Sequence, residues 1–175
     1  SPVASSPGLA LLAATTEKFG DDGWQDWWRT ALQGGMQVDA SWSDAYNTSF
    51  SGGEGTGTRP IVLSYSSSPA FAPDTDVVAA SCTPQVEYAG VVEGAENPEG
   101  ARAFVDFLLT EDVQAAIPDA MYMYPVDSSV PLPEAWAEHA PLVEDPIVPD
   151  AGLLDSRRED LLKEWTALAE EVQGS

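Results

Sequence analysis

The sequence is poor in the residues that metal sites, disulfides and nucleic-acid interfaces require. It holds one cysteine, Cys82, one histidine, His139, and seven basic residues against 29 acidic ones, a formal net charge of −22. One cysteine excludes a disulfide or a cysteine zinc site built within the chain, and a lone histidine is a poor metal ligand. The acidic excess repels nucleic acid and anionic membranes and attracts cations. We therefore expect no metal, no cofactor and no nucleic-acid partner.

Long apolar runs are also missing. No run approaches the roughly 18 residues of a transmembrane helix, so no membrane-spanning segment is expected in this chain. No charged-then-apolar leader opens the sequence, and its first residues, Ser-Pro-Val-Ala-Ser-Ser-Pro-Gly, look like the interior of a domain, so we expect a fragment. The 43% of hydrophobic residues and six tryptophans indicate a globular chain.

Helices and strands are predicted to alternate, which is typical of the α/β class. A first helix is predicted to begin at Ser6 as N-cap and to stop at Gly20, and a second carries tryptophans at helical spacing that we assign to the core. Later helices are predicted from Asn97, from Thr110 and from a Ser156-x-x-Glu159 capping box. The predicted strands are 37–40, the apolar run 61–63, 76–80, 85–92 and 121–126.

Aromatic and hydroxyl side chains are concentrated near the ends of predicted strands. Three pairs stand out, namely Trp42 with Tyr46, Tyr65 with Phe71, and Tyr122 with Tyr124. Ligands of open α/β sheets bind beyond the carboxyl ends of the strands, and rings with hydroxyls suit a flat, polar or cationic small molecule. The start of the first helix adds Ser5, Ser6 and free backbone donors, which can hold an oxygen-bearing group. These features predict a binding cleft.

Two other functional classes stay open at this point. A hydrolase would use a cleft serine with His139, although the Gly-x-Ser-x-Gly frame of a nucleophile elbow is absent. A module that interacts with other proteins and takes no small ligand is the second alternative. We expect a binding protein and not an enzyme, because no set of side chains has the residue types and spacing of a catalytic site.

Several collinear sequence blocks resemble the thiamine-binding members of the extracytoplasmic solute-binding proteins of ABC transporters. The blocks are Ser5-Ser6-Pro7-Gly8-Leu9, Trp42-Ser43-Asp44-Ala45-Tyr46, Leu63-Ser64-Tyr65 through Ser68-Pro69-Ala70, Gln85-Val86-Glu87, Asn97-Pro98-Glu99 and Met123-Tyr124-Pro125-Val126. The resemblance implies a periplasmic-binding-protein-like (type II) α/β fold with two lobes that close on the ligand. It implies a C-terminal fragment with an incomplete first lobe, residues 1–87 being part of lobe 2 and residues 88–175 returning to lobe 1.

The resemblance also implies a function and a set of contacts. The protein would capture thiamine or a thiamine phosphate outside the cytoplasm, in the periplasm or as a lipoprotein on the cell surface, and deliver it to an ABC transporter permease. A polyamine, iron or an anion are the alternative ligands on the same fold. Carried over by position, the predicted contacts are Ser5, Ser6, Trp42, Tyr65, Ser68, Phe71 (a tyrosine in better-known relatives) and Tyr122 (a tryptophan there). The fragment alone is expected to bind weakly or not at all.

Overall fold

The computed structural model describes residues 1–174, with only the backbone at Leu153. This part of the chain forms two compact units, and each unit is made of separate stretches of sequence. The first unit contains residues 1–65, 78–84 and 143–174, and the second contains residues 66–77 and 85–142. The assignment of residues 1–87 and 88–175 to two lobes stays a prediction.

Two long helices form the core of the first unit. Helix α1 spans Ser6–Gln33 and is interrupted at Gly20, whose φ of 70° and ψ of −179° are not helical. The predicted stop at Gly20 is therefore confirmed, and the chain resumes as helix immediately afterwards. The predicted N-cap was wrong by one residue, because Ser5 caps the helix with its Oγ, which accepts a hydrogen bond from the Gly8 N–H at 3.2 Å.

The last helix, α6, spans Ala151–Gln173 and packs against α1. The predicted capping box at Ser156 was wrong, because the helix already begins at Ala151 and Ser156 lies inside it. The tryptophans assigned to the core are there, with Trp24 and Trp28 almost fully buried. The buried members of this core are Leu12, Trp24, Trp28, Leu32, Leu161, Trp165, Leu168 and Ala169.

The first unit also contains a short helix that carries aromatic side chains. Helix α2 spans Trp42–Asp44 and continues into one π-helical turn, Ala45–Ser49. Later in the chain, single 3₁₀ turns lie at Ser68–Ala70, in the second unit, and at Ala79–Ser81, in the first.

Three helices organise the second unit. Helix α3 spans Pro98–Leu108, α4 spans Glu111–Met121 and α5 spans Glu134–His139. The predicted starts after Asn97 and Thr110 are confirmed, and the Asn97 side chain accepts a hydrogen bond from the Gly100 N–H at 2.9 Å. No helix in residues 1–174 combines the length and the hydropathy that a membrane span needs.

The predicted strands do not form. In the part of the chain that the structure describes, β pairing is limited to one isolated bridge between Phe50 and Arg59, so all five predicted strands were wrong. A segment rich in β-branched residues becomes a strand only when a neighbouring backbone supplies the hydrogen bonds of a ladder. The apolar side chains are not buried either, as Ile61 is 78% exposed and Val92 is 77% exposed. The α/β prediction is therefore not confirmed by these residues.

Candidate ligand-binding site

The first unit presents a group of aromatic rings around Trp42, which we call the first ring cluster (Trp42, Tyr46 and Tyr65). The Ser41 side chain caps α2 by accepting a hydrogen bond from the Asp44 N–H at 3.0 Å, and this places Trp42 at the first helical position. Since Trp42 and Tyr46 lie four residues apart in a helical segment, their rings stack, with centroids 5.1 Å apart and planes at 21°.

The third ring comes from the predicted strand end. The centroid of the Tyr65 ring lies 5.8 Å from that of Trp42, with planes at 57°. The Trp42 indole N–H donates to the Ser64 hydroxyl at 3.1 Å, which fixes the plane of the indole. Tyr65 is 43% exposed, so ring surface beside an oriented indole is open to solvent. Such an arrangement can stack on a flat or cationic molecule.

The second unit contains another group of rings, the second ring cluster (Phe71, Tyr122, Tyr124 and Trp136). The Phe71 ring meets the Tyr122 ring edge-to-face at 4.9 Å and the Trp136 ring at 5.8 Å. Trp136, on α5, is 1% exposed and also contacts Tyr124 edge-to-face at 5.2 Å. Phe71 and Tyr122 are 50% and 60% exposed. A buried indole thus packs on the exposed Phe71 ring, which in turn contacts the exposed Tyr122 ring.

Two adjacent serines bind the segment that carries these tyrosines. Ser67 Oγ donates to the Tyr122 carbonyl oxygen at 2.9 Å, and Ser66 Oγ lies 3.3 Å from the Tyr124 hydroxyl. The Tyr124 hydroxyl donates to the Ala140 carbonyl oxygen at 3.1 Å. Sequence reasoning missed Ser67, and its only signal there was membership of the serine run after Tyr65.

The remaining predicted contacts are serines. Ser5 is half-buried, and its hydroxyl is used locally, because it donates to the Ser1 carbonyl oxygen at 3.2 Å as well as capping α1. Ser6 is exposed at the start of α1, and Ser68 is half-buried at the start of a 3₁₀ turn. The structure thus brings Trp42 together with Tyr65 in one unit. Within the other unit it brings Phe71 together with Tyr122.

Outside the ring clusters, the chain carries one thiol, Cys82, and one imidazole, His139. Burial raises the pKa of the Cys82 thiol, which disfavours the reactive thiolate. His139 Nε2 lies 3.7 Å from the carboxylate of its neighbour Glu138. In residues 1–174, no group of three or more histidine, cysteine, aspartate or glutamate side chains is arranged to hold a metal ion.

The sequence of this chain matches a known protein family. The model of the family described as "Bacterial extracellular solute-binding protein" matches residues 1–153. The "Thiamine-binding periplasmic protein" of Escherichia coli (strain K12) is 36% identical over 143 residues, which cover 77% of this chain and 42% of that protein. The proteins of the same name from Salmonella typhimurium and Brucella suis biovar 1 are 33% and 32% identical, again over 77% of this chain.

The chain spans about two fifths of the length of these curated relatives. No solved structure matches it with significance. The family model and the relatives agree with each other, and both cover more than two thirds of the chain. The chain therefore belongs to the family of bacterial extracellular solute-binding proteins.

Proposed function

We propose that this chain contributes to the capture of thiamine or a thiamine phosphate outside the cytoplasm, for delivery to an ABC transporter permease. Family membership, which implies a periplasmic-binding-protein-like fold, and the names of the relatives support this proposal. The observation that carries it is the pair of Trp42 and Tyr65, where exposed ring surface lies beside an indole fixed by Ser64.

The chemistry of thiamine suits such rings. Thiamine joins a flat pyrimidine to a positively charged thiazolium, and a cation over an aromatic face gains about 0.5 to 2 kcal/mol, depending on desolvation. Trp42 and Tyr65 together would supply about 1 to 4 kcal/mol of the roughly 8 kcal/mol that micromolar binding requires. The rest must come from hydrogen bonds and further ring contacts. The net charge of −22 also raises the local concentration of a cationic ligand.

The other predicted site residues stay candidate contacts, each considered within its own unit. In the second unit, Phe71 and Tyr122 are a second pair of exposed rings and Ser68 carries a hydroxyl. In the first unit, Ser6 is exposed, whereas the predicted contact Ser5 already uses its hydroxyl to cap α1. Phe71 lacks the hydroxyl of a tyrosine, so we expect one hydrogen bond fewer to the ligand here than in relatives with a tyrosine, and with it a different preference among thiamine, its phosphates and related cations. The ligand would be bound and released without chemical change, which makes this chain part of a receptor and not of an enzyme.

Calorimetric titration with thiamine, thiamine monophosphate and spermidine tests the proposal. Trp42→Ala and Tyr65→Ala are each expected to weaken thiamine binding by about 2- to 30-fold, the equivalent of one cation–π contact. Trp27→Ala is the matched control, because Trp27 is also a half-buried tryptophan of the first unit and stacks on Phe19. Its affinity for thiamine should stay within about twofold of the unsubstituted chain.

The same titrations are run on a chimera in which this chain replaces the matching part of the Escherichia coli relative. The chimera supplies the part of the relative's length that this chain does not span. Binding that both ring variants weaken, in the chain or in the chimera, supports the site. Unchanged thiamine affinity in both variants would refute the proposed site. Tighter binding of spermidine than of thiamine would refute thiamine as the ligand.

A further inference from the structure

Tyr122 has an unusual backbone conformation. Its φ of 59° and ψ of 31° lie in the left-handed region, and in residues 1–174 no other residue except glycine has a positive φ. It is the C-cap of α4, and its N–H donates to the Pro118 carbonyl oxygen at 3.0 Å. Glycine or asparagine usually takes this position, because a bulky side chain is strained there. Since the Tyr122 side chain is 60% exposed, burial does not explain why a tyrosine is present.

A buried hydroxyl donates to the carbonyl oxygen of this residue. Ser67 is only 4% exposed, and its Oγ donates to the Tyr122 carbonyl oxygen at 2.9 Å across 55 residues of sequence. Ser67 is itself fixed, because its carbonyl oxygen accepts a hydrogen bond from the Ala70 N–H at 3.1 Å. A hydrogen bond to the carbonyl of a residue restricts the ψ of that residue. The bond from Ser67 therefore acts directly on the strained torsions of Tyr122.

This restraint on the backbone also limits where the Tyr122 ring can lie. The Tyr122 ring meets the exposed Phe71 ring at 4.9 Å and 66°, and Phe71 in turn packs on the buried Trp136. If Tyr122 left the left-handed region, its Cα–Cβ direction would change and the ring pair would separate. Strained residues that the surrounding structure holds in place are concentrated at ligand-binding and catalytic sites.

We propose that Ser67 is a positioning residue, whose hydroxyl holds Tyr122 in the left-handed conformation and so fixes the Phe71–Tyr122 ring pair to stack on a flat aromatic cation. The part of this inference that concerns the ligand rests on the function proposed above. The part that concerns the conformation of Tyr122 does not. The two parts are tested by different measurements.

The conformation is tested by nuclear magnetic resonance on the unliganded chain. Ser67→Ala is expected to move the backbone carbon shifts and the HN–Hα coupling of Tyr122 away from left-handed values, and Ser67→Thr, which keeps a hydroxyl, is expected to restore them. Thr75→Val is the control, because Thr75 of the same unit also donates to a main-chain oxygen, that of Ala72, at 2.7 Å. Left-handed values for Tyr122 in Ser67→Ala would overturn the proposal.

The effect on the ligand is tested by thiamine titration of the chain and of the chimera. Ser67→Ala should weaken binding by roughly three- to tenfold, the worth of one hydrogen bond. It should have no further effect in a Tyr122→Gly background, because Ser67 acts through the Tyr122 ring. Losses that add in the double variant would overturn this inference. A failure of every unsubstituted protein to bind thiamine would instead overturn the proposed function, and the resonance measurement would still decide the role of Ser67.

Discussion

Two buried tryptophans on α1 provide a matched pair for testing the core. Trp24 and Trp28 are 0% and 2% exposed, and they lie one helical turn apart. The Trp28 indole N–H donates to the Thr15 hydroxyl at 2.9 Å, whereas the buried N–H of Trp24 has no acceptor within residues 1–174. Replacing each by phenylalanine removes the same atoms from the same core but breaks a hydrogen bond only at position 28.

The expected difference in the free energy of unfolding follows from the energies of those two N–H groups. The loss of ring volume destabilises both variants by similar amounts, so it cancels in the comparison. Trp28→Phe additionally loses a hydrogen bond worth about 0.5 to 1.5 kcal/mol, while Trp24→Phe removes a buried unpaired donor that costs about 1 to 3 kcal/mol. Trp28→Phe should therefore be less stable than Trp24→Phe by about 1.5 to 4.5 kcal/mol.

Urea unfolding followed by circular dichroism measures this difference without depending on tryptophan fluorescence. The free energies of unfolding are compared at equal m-values, so that a change in the denatured state is not mistaken for a change in the core. Equal destabilisation in the two variants, or a greater loss in Trp24→Phe, would refute the reasoning from these hydrogen bonds.

Four further predictions concern other parts of the first unit. Ser5→Ala should lower the free energy of unfolding by about 1 kcal/mol, as expected for an N-cap, while Ser6→Ala should change it by less than about 0.5 kcal/mol; equal effects would contradict the observed cap. Gly20→Ala should cost about 1 to 3 kcal/mol, because alanine is strained at a φ of 70°, and an unchanged urea midpoint would argue against the break in α1. Because burial raises the folded-state pKa of Cys82, its thiol should react with iodoacetamide more slowly at pH 8 in the folded than in the urea-unfolded chain; equal rates by mass spectrometry would contradict this. The stability that this thiol contributes below its unfolded pKa should be lost as the pH rises through the raised folded pKa.

Local signals in the sequence predicted α1, α3, α4 and most of α6, but missed the short helices α2 and α5. The break at Gly20, the starts of α3 after Asn97 and of α4 after Thr110, and the apolar faces of α1 and α6 all follow from short-range rules. A glycine with positive φ or a capping side chain acts within one turn of helix. These features therefore do not depend on what lies elsewhere in the molecule.

The sequence also indicated most of the aromatic residues that form the two ring clusters, but it did not indicate which rings from distant segments contact each other. Tyr65 was grouped with Phe71 by proximity along the chain, whereas the structure pairs it with Trp42, and it pairs Phe71 with Tyr122. The roles of the predicted site residues as ligand contacts stay predictions. Their pairing depends on distant segments meeting, which no local pattern specifies.

The sequence by itself determined the longer helices, the tryptophan core and the ring-bearing residues, because each depends on side chains a few positions apart. Only the tertiary structure decided that the predicted strands lack partners in residues 1–174, since a strand forms through hydrogen bonds to backbone that is distant in sequence. It likewise decided that Ser67 binds the Tyr122 carbonyl, because 55 residues separate the two ends of that hydrogen bond.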